Sequence, residues 1–313
     1  MEKIVTFTLN PAIDKSSSLE HVMAENKLYC DKPLYEPGGG GINVSRAIHK
    51  LGGNSLLLYT SGGFAGQRLG QLLKEEGLDE RAVKIDNSTR ENLIILEKAT
   101  NLQYRFGMPG PVINEKEIEK IFEIVSDLNP FPDYLVISGS IPAGVPDNIY
   151  AELAKKAKKQ GAKVVIDVAG PPLKEVMKEG VFLIKPNLGE FQGLMERELK
   201  EDDEIKEAAY QLIRDNCCSV IVISLGAGGV LFVTEDIAKF MRPPTVPIKS
   251  KVGAGDSMVA GIVLSLAKGN SLKDSIIYGL AAGSSAVMTP GTELCKKEDT
   301  ERLYKKMSKK FNK

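Results

Sequence analysis

The sequence has no excess of charge of either sign: its 313 residues include 41 Lys and Arg and 41 Asp and Glu. A nucleic-acid-binding domain normally carries a clear cationic excess, so this balance argues against bulk binding of DNA or RNA. Apolar runs long enough to cross a membrane are also missing. The longest, near 258–267 and 280–288, contain Gly and Ser and fall short of the roughly 20 residues that cross a bilayer. We therefore expect neither nucleic acid nor membrane as a partner.

Cysteine and histidine are scarce, with four and two residues respectively. So few cysteines in so long a chain do not form a disulfide framework. Cys217 and Cys218 are adjacent and lack the spacing of zinc ligands. The chain opens on Met1-Glu2-Lys3 and a short apolar run, which does not resemble a secretory leader. We expect reduced thiols and a cytoplasmic location.

Short apolar runs alternate with helix-length amphipathic stretches along most of the chain. The runs predict strands at 3–9, 55–60, 134–137, 163–167, 182–185 and 220–224. Helical patterns occupy 41–51, 66–76, 147–159, 171–178 and 203–214, and the last third is mostly helical over 255–268, 271–287 and 298–310. Near-continuously apolar strands joined by crossover helices are typical of buried parallel sheets. We predict one α/β domain, residues 1–313, built on a doubly wound, mostly parallel sheet flanked by helices.

Two segments break that rhythm. Residues 15–36 and 90–107 contain strand-like pieces, such as 92–97 and 103–106, without an intervening helix. We predict that both segments form a small β-sheet lid over the ends of the main strands, where ligands bind in doubly wound sheets. An edge hairpin with no role in catalysis is the alternative.

The segment Lys251-Val-Gly-Ala-Gly-Asp-Ser-Met258 precedes an apolar helix. Gly253 and Gly255 let backbone N–H groups approach a ligand closely, and the start of a helix adds its positive dipole. The segment therefore suits an anion or the charge that develops in a reaction. Asp256, in the first turn, can reach a substrate hydroxyl as a general base. An ordinary Gly-rich turn with Asp as helix cap is the competing interpretation.

A second glycine cluster, Glu36-Pro-Gly-Gly-Gly-Gly-Ile-Asn43, opens the next predicted helix. Four consecutive glycines are costly in backbone entropy, which favours a close approach of backbone to ligand. Neither cluster is a P-loop, since no Gly-Lys-Ser/Thr follows. Neither completes a dinucleotide fingerprint, because Met258 holds the place of its last glycine. These mismatches disfavour a dehydrogenase.

Together with four further motifs, the two clusters resemble the ribokinase-like (PfkB) sugar kinases over about residues 4–300. The further motifs are Asn10-Pro-Ala-Ile-Asp14, Ile137-Ser-Gly-Ser-Ile-Pro142, Lys185-Pro-Asn-Leu-Gly-Glu190 and Ser224-Leu-Gly-Ala-Gly-Gly229. Within that family the chain most resembles the minor 6-phosphofructokinase type. The segments that carry this resemblance are Tyr35–Asn43, Tyr104–Gly110 and Gly291–Cys295. Relatives that act on fructose 1-phosphate or tagatose 6-phosphate usually carry Lys where this chain has Gly40.

The resemblance implies ATP-dependent phosphorylation of D-fructose 6-phosphate to fructose 1,6-bisphosphate, a step of glycolysis. Tagatose-6-phosphate kinase and 1-phosphofructokinase are the enzymatic alternatives, and a non-catalytic sensor of a sugar phosphate or nucleotide is the alternative of another class. A nucleoside kinase is disfavoured by the two arginines of the lid segments. By resemblance, Asp256 is the base and the backbone of Gly253, Ala254 and Gly255 is the anion hole.

The resemblance also assigns the substrate contacts. Asp14, Gly39, Gly40 and Asn43 are expected at the sugar hydroxyls, and Ser140 beside the phosphate. Arg90 and Arg105, one from each of two presumed lid strands, suit a phosphate dianion because a guanidinium binds two oxygens at once. Lys27 of the lid completes that cationic set.

For the nucleotide and its ions the resemblance implies a third group of residues. The ATP phosphates are expected near Lys185, Asn187, Ser224, Gly226 and Gly229. Glu190 is expected to organise Mg²⁺, which is held by few carboxylates, waters and substrate phosphates. A K⁺ site is implied for the carbonyls of Ser250, Val252, Ala286, Thr289 and Gly291.

An exposed lid sheet has open edges that a second copy can cover. We therefore predict a homodimer formed through the lids. The resemblance places Lys27 near the neighbouring subunit's site.

Overall fold

The structure, a computed structural model, describes residues 1–311. Its strands are β1 (Ile4–Thr8), β2 (Ala12–Leu19), β3 (Leu34–Gly38), β4 (Leu56–Ser61), β5 (Asp79–Lys84), β6 (Arg90–Glu97), β7 (Leu102–Phe106), β8 (Tyr134–Ser138), β9 (Lys163–Asp167), β10 (Val181–Ile184), β11 (Cys218–Ser224), β12 (Val230–Val233) and β13 (Ala238–Met241). Its helices are α1 (Gly40–Lys50), α2 (Gly63–Glu75), α3 (Glu115–Ser126), α4 (Ile149–Lys159), α5 (Pro171–Met177), α6 (Leu188–Met195), α7 (Asp202–Arg214), α8 (Ala254–Ala267), α9 (Leu272–Ala286) and α10 (Lys297–Phe311).

Nine strands form the main sheet in the order β13-β12-β11-β10-β9-β8-β1-β4-β5. The pairings from β5 across to β11 are parallel, and only β12 and β13 are antiparallel. Central strands such as β1 and β8 are buried along their whole length, because helices cover both faces. The predicted α/β ribokinase-like architecture is confirmed.

Two helical layers enclose that sheet. The larger apolar cluster packs α3, α4, α5, α6 and α7 on one face. The second packs α1, α8, α9 and α10 on the other. Within residues 1–311, no helix combines the length and apolarity that a bilayer span requires.

Four strands form a separate sheet in the order β3-β2-β6-β7, which we call the lid. β2 and β6 pair in parallel, with Asp14 opposite Asn92 and Ala12 opposite Arg90. Side chains of a strand alternate between faces, so Asp14, Arg90 and Asn92 share one face. Ile13 points the other way and packs with Ile42 and Tyr59 of the main body. The lid is thereby attached to the main body at its base.

The observed elements differ from the prediction in several places, and helix α6 is one that was not predicted. Helix α2 begins at Gly63, ahead of the predicted 66–76. Strand β5 and helix α3 were not predicted. The β12–β13 hairpin at the sheet edge was not predicted either. Apart from β12, these strands are partly exposed, so their sequences lack the fully apolar run of a buried strand.

Candidate active site

Helix α8 begins directly at the second glycine-rich turn. Gly253 is its N-cap and has φ 73°, a left-handed conformation that favours glycine. A Cβ at Gly253 would lie 2.3 Å from Cδ2 of Leu294, so Leu294 would have to move, and the left-handed conformation itself disfavours a side chain. The first N–H groups of α8 have no partner within the helix. The turn therefore presents backbone donors at a helix start, as the anion-hole hypothesis requires.

Asp256 lies in the first turn of α8 and is held by a neighbouring element. The amide Nδ2 of Asn43, from helix α1, donates to Oδ2 of Asp256 at 2.9 Å. Burial, together with the charge of Asp167, raises the pKa of Asp256 to about 7, although Asn43 and Lys185 act against the rise. A carboxyl with this pKa can take up a proton near neutral pH, as general-base catalysis requires.

Lys185 and Asp167 form a buried ion pair beside the glycine turn. Nζ of Lys185 lies 3.1 Å from Oδ1 of Asp167, and both side chains are largely buried. Burial lowers the pKa of Lys185, but Asp167, with smaller contributions from Asp256 and Glu190, outweighs it and the net pKa is raised. A Cβ at Gly255 would lie 3.2 Å from that Nζ. A permanent positive charge therefore borders the anion hole.

The glycines at 39–41 pack against the protein's own backbone. A Cβ at Gly40 would lie 2.2 Å from Oγ of Ser138, and one at Gly41 would lie 2.5 Å from the carbonyl oxygen of Phe7. Gly39 has φ 118°, which disfavours any side chain. Close contact with the ends of β1 and β8 is thus sufficient to require glycine here, and a ligand is not needed to explain the cluster.

The side chains at the base of the lid form two sets of hydrogen bonds. Nδ2 of Asn92 donates to Oδ1 of Asp14 at 2.8 Å. Nη2 of Arg90 donates to the carbonyl of Asn10 at 3.0 Å, and Nδ2 of Asn10 donates to Oγ of Ser140 at 3.1 Å. Three predicted substrate residues, Asp14, Arg90 and Ser140, are thereby anchored around the junction of lid and main sheet.

Three buried polar atoms around this junction have no hydrogen-bond partner within the described part of the chain: Nε of Arg90, Oδ1 of Asn10 and Oδ1 of Asn43. Burial lowers the pKa of Arg90, and Asp14 opposes that effect. Unsatisfied buried polar atoms cost about 1–3 kcal/mol each. A polar ligand with hydroxyl donors and anionic acceptors would satisfy all three.

Arg105 and Lys27 are exposed. Arg105 lies opposite Ile94 in the lid and so shares the sheet face of Arg90. Lys27 lies in the connection between β2 and β3, with Nζ 5.3 Å from the centroid of the Tyr29 ring. Within residues 1–311, neither side chain forms an ion pair with the residues around Asp14.

The predicted nucleotide residues follow the ends of β10 and β11. Asn187 and Ser224 form a bridge between the two chain segments. Asn187 and Glu190 form a capping box at the start of α6, with hydrogen bonds of 2.9 and 2.8 Å. Gly226 and Gly229 have positive φ. These residues lie at the carboxyl ends of β10 and β11, as Lys185 does.

Among the described residues, acidic side chains do not cluster densely enough to hold a magnesium ion by themselves. In the part of the chain described here, no group of three or more His, Cys, Asp or Glu side chains converges. Mg²⁺ commonly takes one or two carboxylates and completes its shell with phosphates and water. A single carboxylate such as that of Glu190 therefore fits a magnesium ion that arrives with ATP.

The segments predicted to bind K⁺ are tied to each other by hydroxyl groups. Oγ of Ser250 donates to the carbonyl of Gly291 at 2.9 Å and accepts from the N–H of Val252 at 3.1 Å. Oγ1 of Thr289 hydrogen-bonds to the carbonyl of Ala286 at 2.8 Å. The hydroxyl of Ser250 thus joins the two segments, and their backbone carbonyls are the ligand type that a K⁺ site would use.

Sequence reasoning missed two residues of this region as site residues. Asn10 lay within a motif that was recognised, but its link between Arg90 and Ser140 depends on the fold. Asn92 gave no signal beyond its place in a predicted strand, and its contact with Asp14 follows from the β2–β6 register.

The family profile of the pfkB family carbohydrate kinases matches residues 3–299. The chain belongs to this family. It is therefore a carbohydrate kinase, a phosphotransferase, as its motifs predicted. Over 310 residues it is 39% identical to the ATP-dependent 6-phosphofructokinase isozyme 2 of Escherichia coli (strain K12), covering 99% of this chain and 100% of that protein. A 1-phosphofructokinase of Borreliella burgdorferi is more distant, 31% identical over 301 residues, with 96% of each chain covered.

Solved structures of the E. coli phosphofructokinase-2 superpose closely on this pfkB family chain. Its complex with potassium has a TM-score of 0.95 at 39% identity, covering 98% of this chain and 100% of that one. Its complex with fructose-6-phosphate has a TM-score of 0.92 at 38% identity with the same coverage. A tetrameric inhibited form of that enzyme has a TM-score of 0.93, again at 38% identity with the same coverage.

Proposed function

We propose that this kinase transfers the γ-phosphoryl group of ATP to D-fructose 6-phosphate and yields fructose 1,6-bisphosphate. The observation that carries the proposal is Asp256, a buried carboxyl with a pKa of about 7, at a helix start beside the Lys185–Asp167 pair. The 6-phosphofructokinase relative exceeds the 1-phosphofructokinase relative in identity, which favours this substrate. As a glycolytic step, the reaction suits the cytoplasmic location proposed from the sequence.

In the proposed reaction, the carboxylate of Asp256 accepts the proton of the sugar hydroxyl as its oxygen attacks the γ-phosphorus. The bond from that phosphorus to the bridging oxygen breaks, and ADP leaves. Backbone N–H groups at 253–255 stabilise the charge on the transferred group. Lys185 adds its positive charge at the same place.

The sugar phosphate would occupy the junction of lid and main sheet. Asp14 and Asn43 would bind its hydroxyls through a carboxylate and a free amide oxygen, beside the backbone of Gly39 and Gly40. Arg90 and Arg105 share a face of the lid and would bind the phosphate, with Ser140 and a Lys27 supplied by a second subunit. Closure of the lid would exclude water and limit wasteful hydrolysis of ATP.

ATP would lie across the ends of β10 and β11, with its phosphates near Lys185, Asn187, Ser224, Gly226 and Gly229. Glu190 would help to hold Mg²⁺, which neutralises charge on the phosphate oxygens when bound. The carbonyls at Ser250, Val252, Ala286, Thr289 and Gly291 would hold K⁺. The E. coli enzyme has been solved in complex with potassium, which supports K⁺ as the ion.

We also propose a homodimer formed through the lids. Several large apolar side chains of the lid region are exposed, and pairing would bury them. They are Val22, Met23, Tyr29, Leu34, Tyr35, Leu96, Leu102 and Phe106. The related enzyme of E. coli is known as a tetramer in its inhibited form, which is compatible with a dimeric unit.

A panel of phosphosugars tests the proposed substrate. Values of kcat/KM would be measured with MgATP, with and without K⁺, for fructose 6-phosphate, fructose 1-phosphate, tagatose 6-phosphate and unphosphorylated fructose. We expect fructose 6-phosphate to have the highest kcat/KM, which is the quantity that measures discrimination between substrates. Another phosphosugar ahead by about tenfold, or no turnover stimulated by any sugar, would overturn the proposal.

A further inference from the structure

Arg46 is a buried arginine that the proposed chemistry does not use. It lies in α1, about one helical turn beyond Asn43, and only 3% of it is exposed. Its guanidinium forms a bidentate pair with Glu76 at the end of α2, with Nε and Nη2 donating over 2.7–3.0 Å. Glu36 of the lid lies 3.7 Å from Nη2. The charge is therefore compensated, as a buried ion must be.

The remaining nitrogen of this guanidinium contacts two distant segments of backbone. Nη1 donates to the carbonyl of Pro37 at 3.1 Å and to that of Thr292 at 3.5 Å. Pro37 belongs to lid strand β3 and leads into the glycines 38–41. Thr292 belongs to the loop that follows α9. One planar group thus joins a lid strand to a loop 255 residues farther along the chain.

Both contacted segments lead directly to site residues. The glycines after Pro37 precede Asn43, which holds Asp256. Two residues after Thr292, Leu294 packs against Gly253, the N-cap of the catalytic helix. A shift of either carbonyl would therefore displace the sugar side or the catalytic turn.

We propose that Arg46 is a positioning residue that sets the lid strand β3 and the 292–294 loop at the correct distance for sugar binding. Stability alone does not explain why an arginine is buried at this position, because replacing a buried ion pair by apolar residues of similar volume is often neutral or stabilising. The geometry of the arginine fork explains the choice, because its several N–H groups can bind Glu76 and both carbonyls at once, whereas Lys offers a single charged nitrogen. This proposal rests on the proposed function of the same site.

Arg46→Lys tests it, because Lys keeps the charge beside Glu76 but cannot also span both carbonyls. We expect KM for the best phosphosugar of the panel to rise by about fivefold or more, with KM for MgATP within about twofold of wild type. Glu76→Gln is the matched control. It weakens the ion pair and lowers Tm but leaves both carbonyl contacts, so KM for the sugar should stay within about twofold.

Amide hydrogen exchange without substrates supplies a readout that does not depend on activity. Arg46→Lys should speed exchange at 38–43 and 253–256 more than Glu76→Gln does, because local opening reflects lost local contacts. If Arg46→Lys does not fold, the double variant Arg46→Met/Glu76→Met replaces it under the same criteria. An unchanged sugar KM, equal changes for both substrates, or an equal effect of Glu76→Gln would overturn the proposal. The two proposals can fail separately. If no phosphosugar of the panel is a substrate but Arg46→Lys still speeds exchange as expected, the proposed function is contradicted and the positioning role of Arg46 remains supported.

Discussion

At the scale of single residues, the decisive feature is a carboxyl kept from ionising easily. Asp256 is buried and lies near the like charge of Asp167, and both effects raise its pKa. Only the unprotonated form can accept the proton of a hydroxyl. Activity should therefore be lost as pH falls through the pKa of this group and be retained above it.

The first prediction concerns this pH dependence. For the free enzyme, kcat/KM should rise with pH to a plateau with a midpoint of about 7. Asp167→Asn removes a negative charge and should move that midpoint to lower pH, because ionisation of Asp256 becomes easier. Asp256→Asn should reduce kcat by a factor of about 10² or more. An unmoved midpoint in Asp167→Asn, or near-normal turnover in Asp256→Asn, would contradict the assignment.

The second prediction separates phosphate binding from sugar binding. Arg105→Gln should raise KM for fructose 6-phosphate by about tenfold or more, because a charge-assisted contact contributes roughly 1.5–3 kcal/mol. Its kcat/KM for unphosphorylated fructose should not change. Arg81→Gln, on the exposed edge strand β5, removes the same charge outside the site and serves as control. Equal losses on both sugars would show that Arg105 does not contact the phosphate.

At the scale of elements, helix α8, which carries Asp256, depends on a close crossing with α9. A Cβ at Gly261 of α8 would lie 2.8 Å from Cα of Gly279 and 3.0 Å from Cβ of Ala282. Neither neighbour is the end of a flexible side chain. The two helices are thus held at a distance that only glycine permits, and the start of α8 is held with them.

The third prediction follows from this crossing. Gly261→Ala should lower the free energy of unfolding by about 1–3 kcal/mol, since overpacking outweighs the gain in helix propensity. Gly193→Ala in α6 is the control, because a Cβ there meets nothing within 4 Å. That variant should be neutral or more stable by up to about 1 kcal/mol. Chemical denaturation measures both, and a Gly261→Ala protein as stable as Gly193→Ala would refute the packing argument.

Elements with a near-continuously apolar run were predictable from the sequence. The central strands β1, β8 and β11 are such runs, and the glycine turn before α8 carries its own conformational signal. Strand β5 reads Asp-Glu-Arg-Ala-Val-Lys and gave none, since an edge strand needs only one covered face. The same limit applies to the site: pairs such as Asn43 and Asp256 are 213 positions apart, and only the fold brings them together.

At the scale of the whole molecule, the exposed apolar surface of the lid region is the feature that indicates binding of a partner. Leu102 is 58% exposed and Phe106 is 48% exposed on the edge strand β7. Exposed apolar patches and open strand edges mark interaction surfaces. A sequence alone does not reveal which face of such a strand is left uncovered.

The fourth prediction tests the proposed dimer. Leu102→Asp should shift sedimentation toward monomer and lower activity, because the pairing would bury this side chain and bring Lys27 to the neighbouring site. Ile237→Asp, at a 43% exposed position outside the lid, is the matched control and should sediment as wild type. A fully active monomeric wild type would refute the proposal, as would a Leu102→Asp protein that remains dimeric.

The arrangement of two sheets also has a consequence for how such an enzyme can change. Asp14, Arg90 and Arg105 lie on the lid sheet, whereas Gly253, Asp256 and Lys185 belong to the main body. Random mutagenesis confined to the four short strands of the lid could therefore select new acceptors without touching the parts proposed to bind ATP. In a laboratory evolution experiment, altered sugar preference should emerge from that module first.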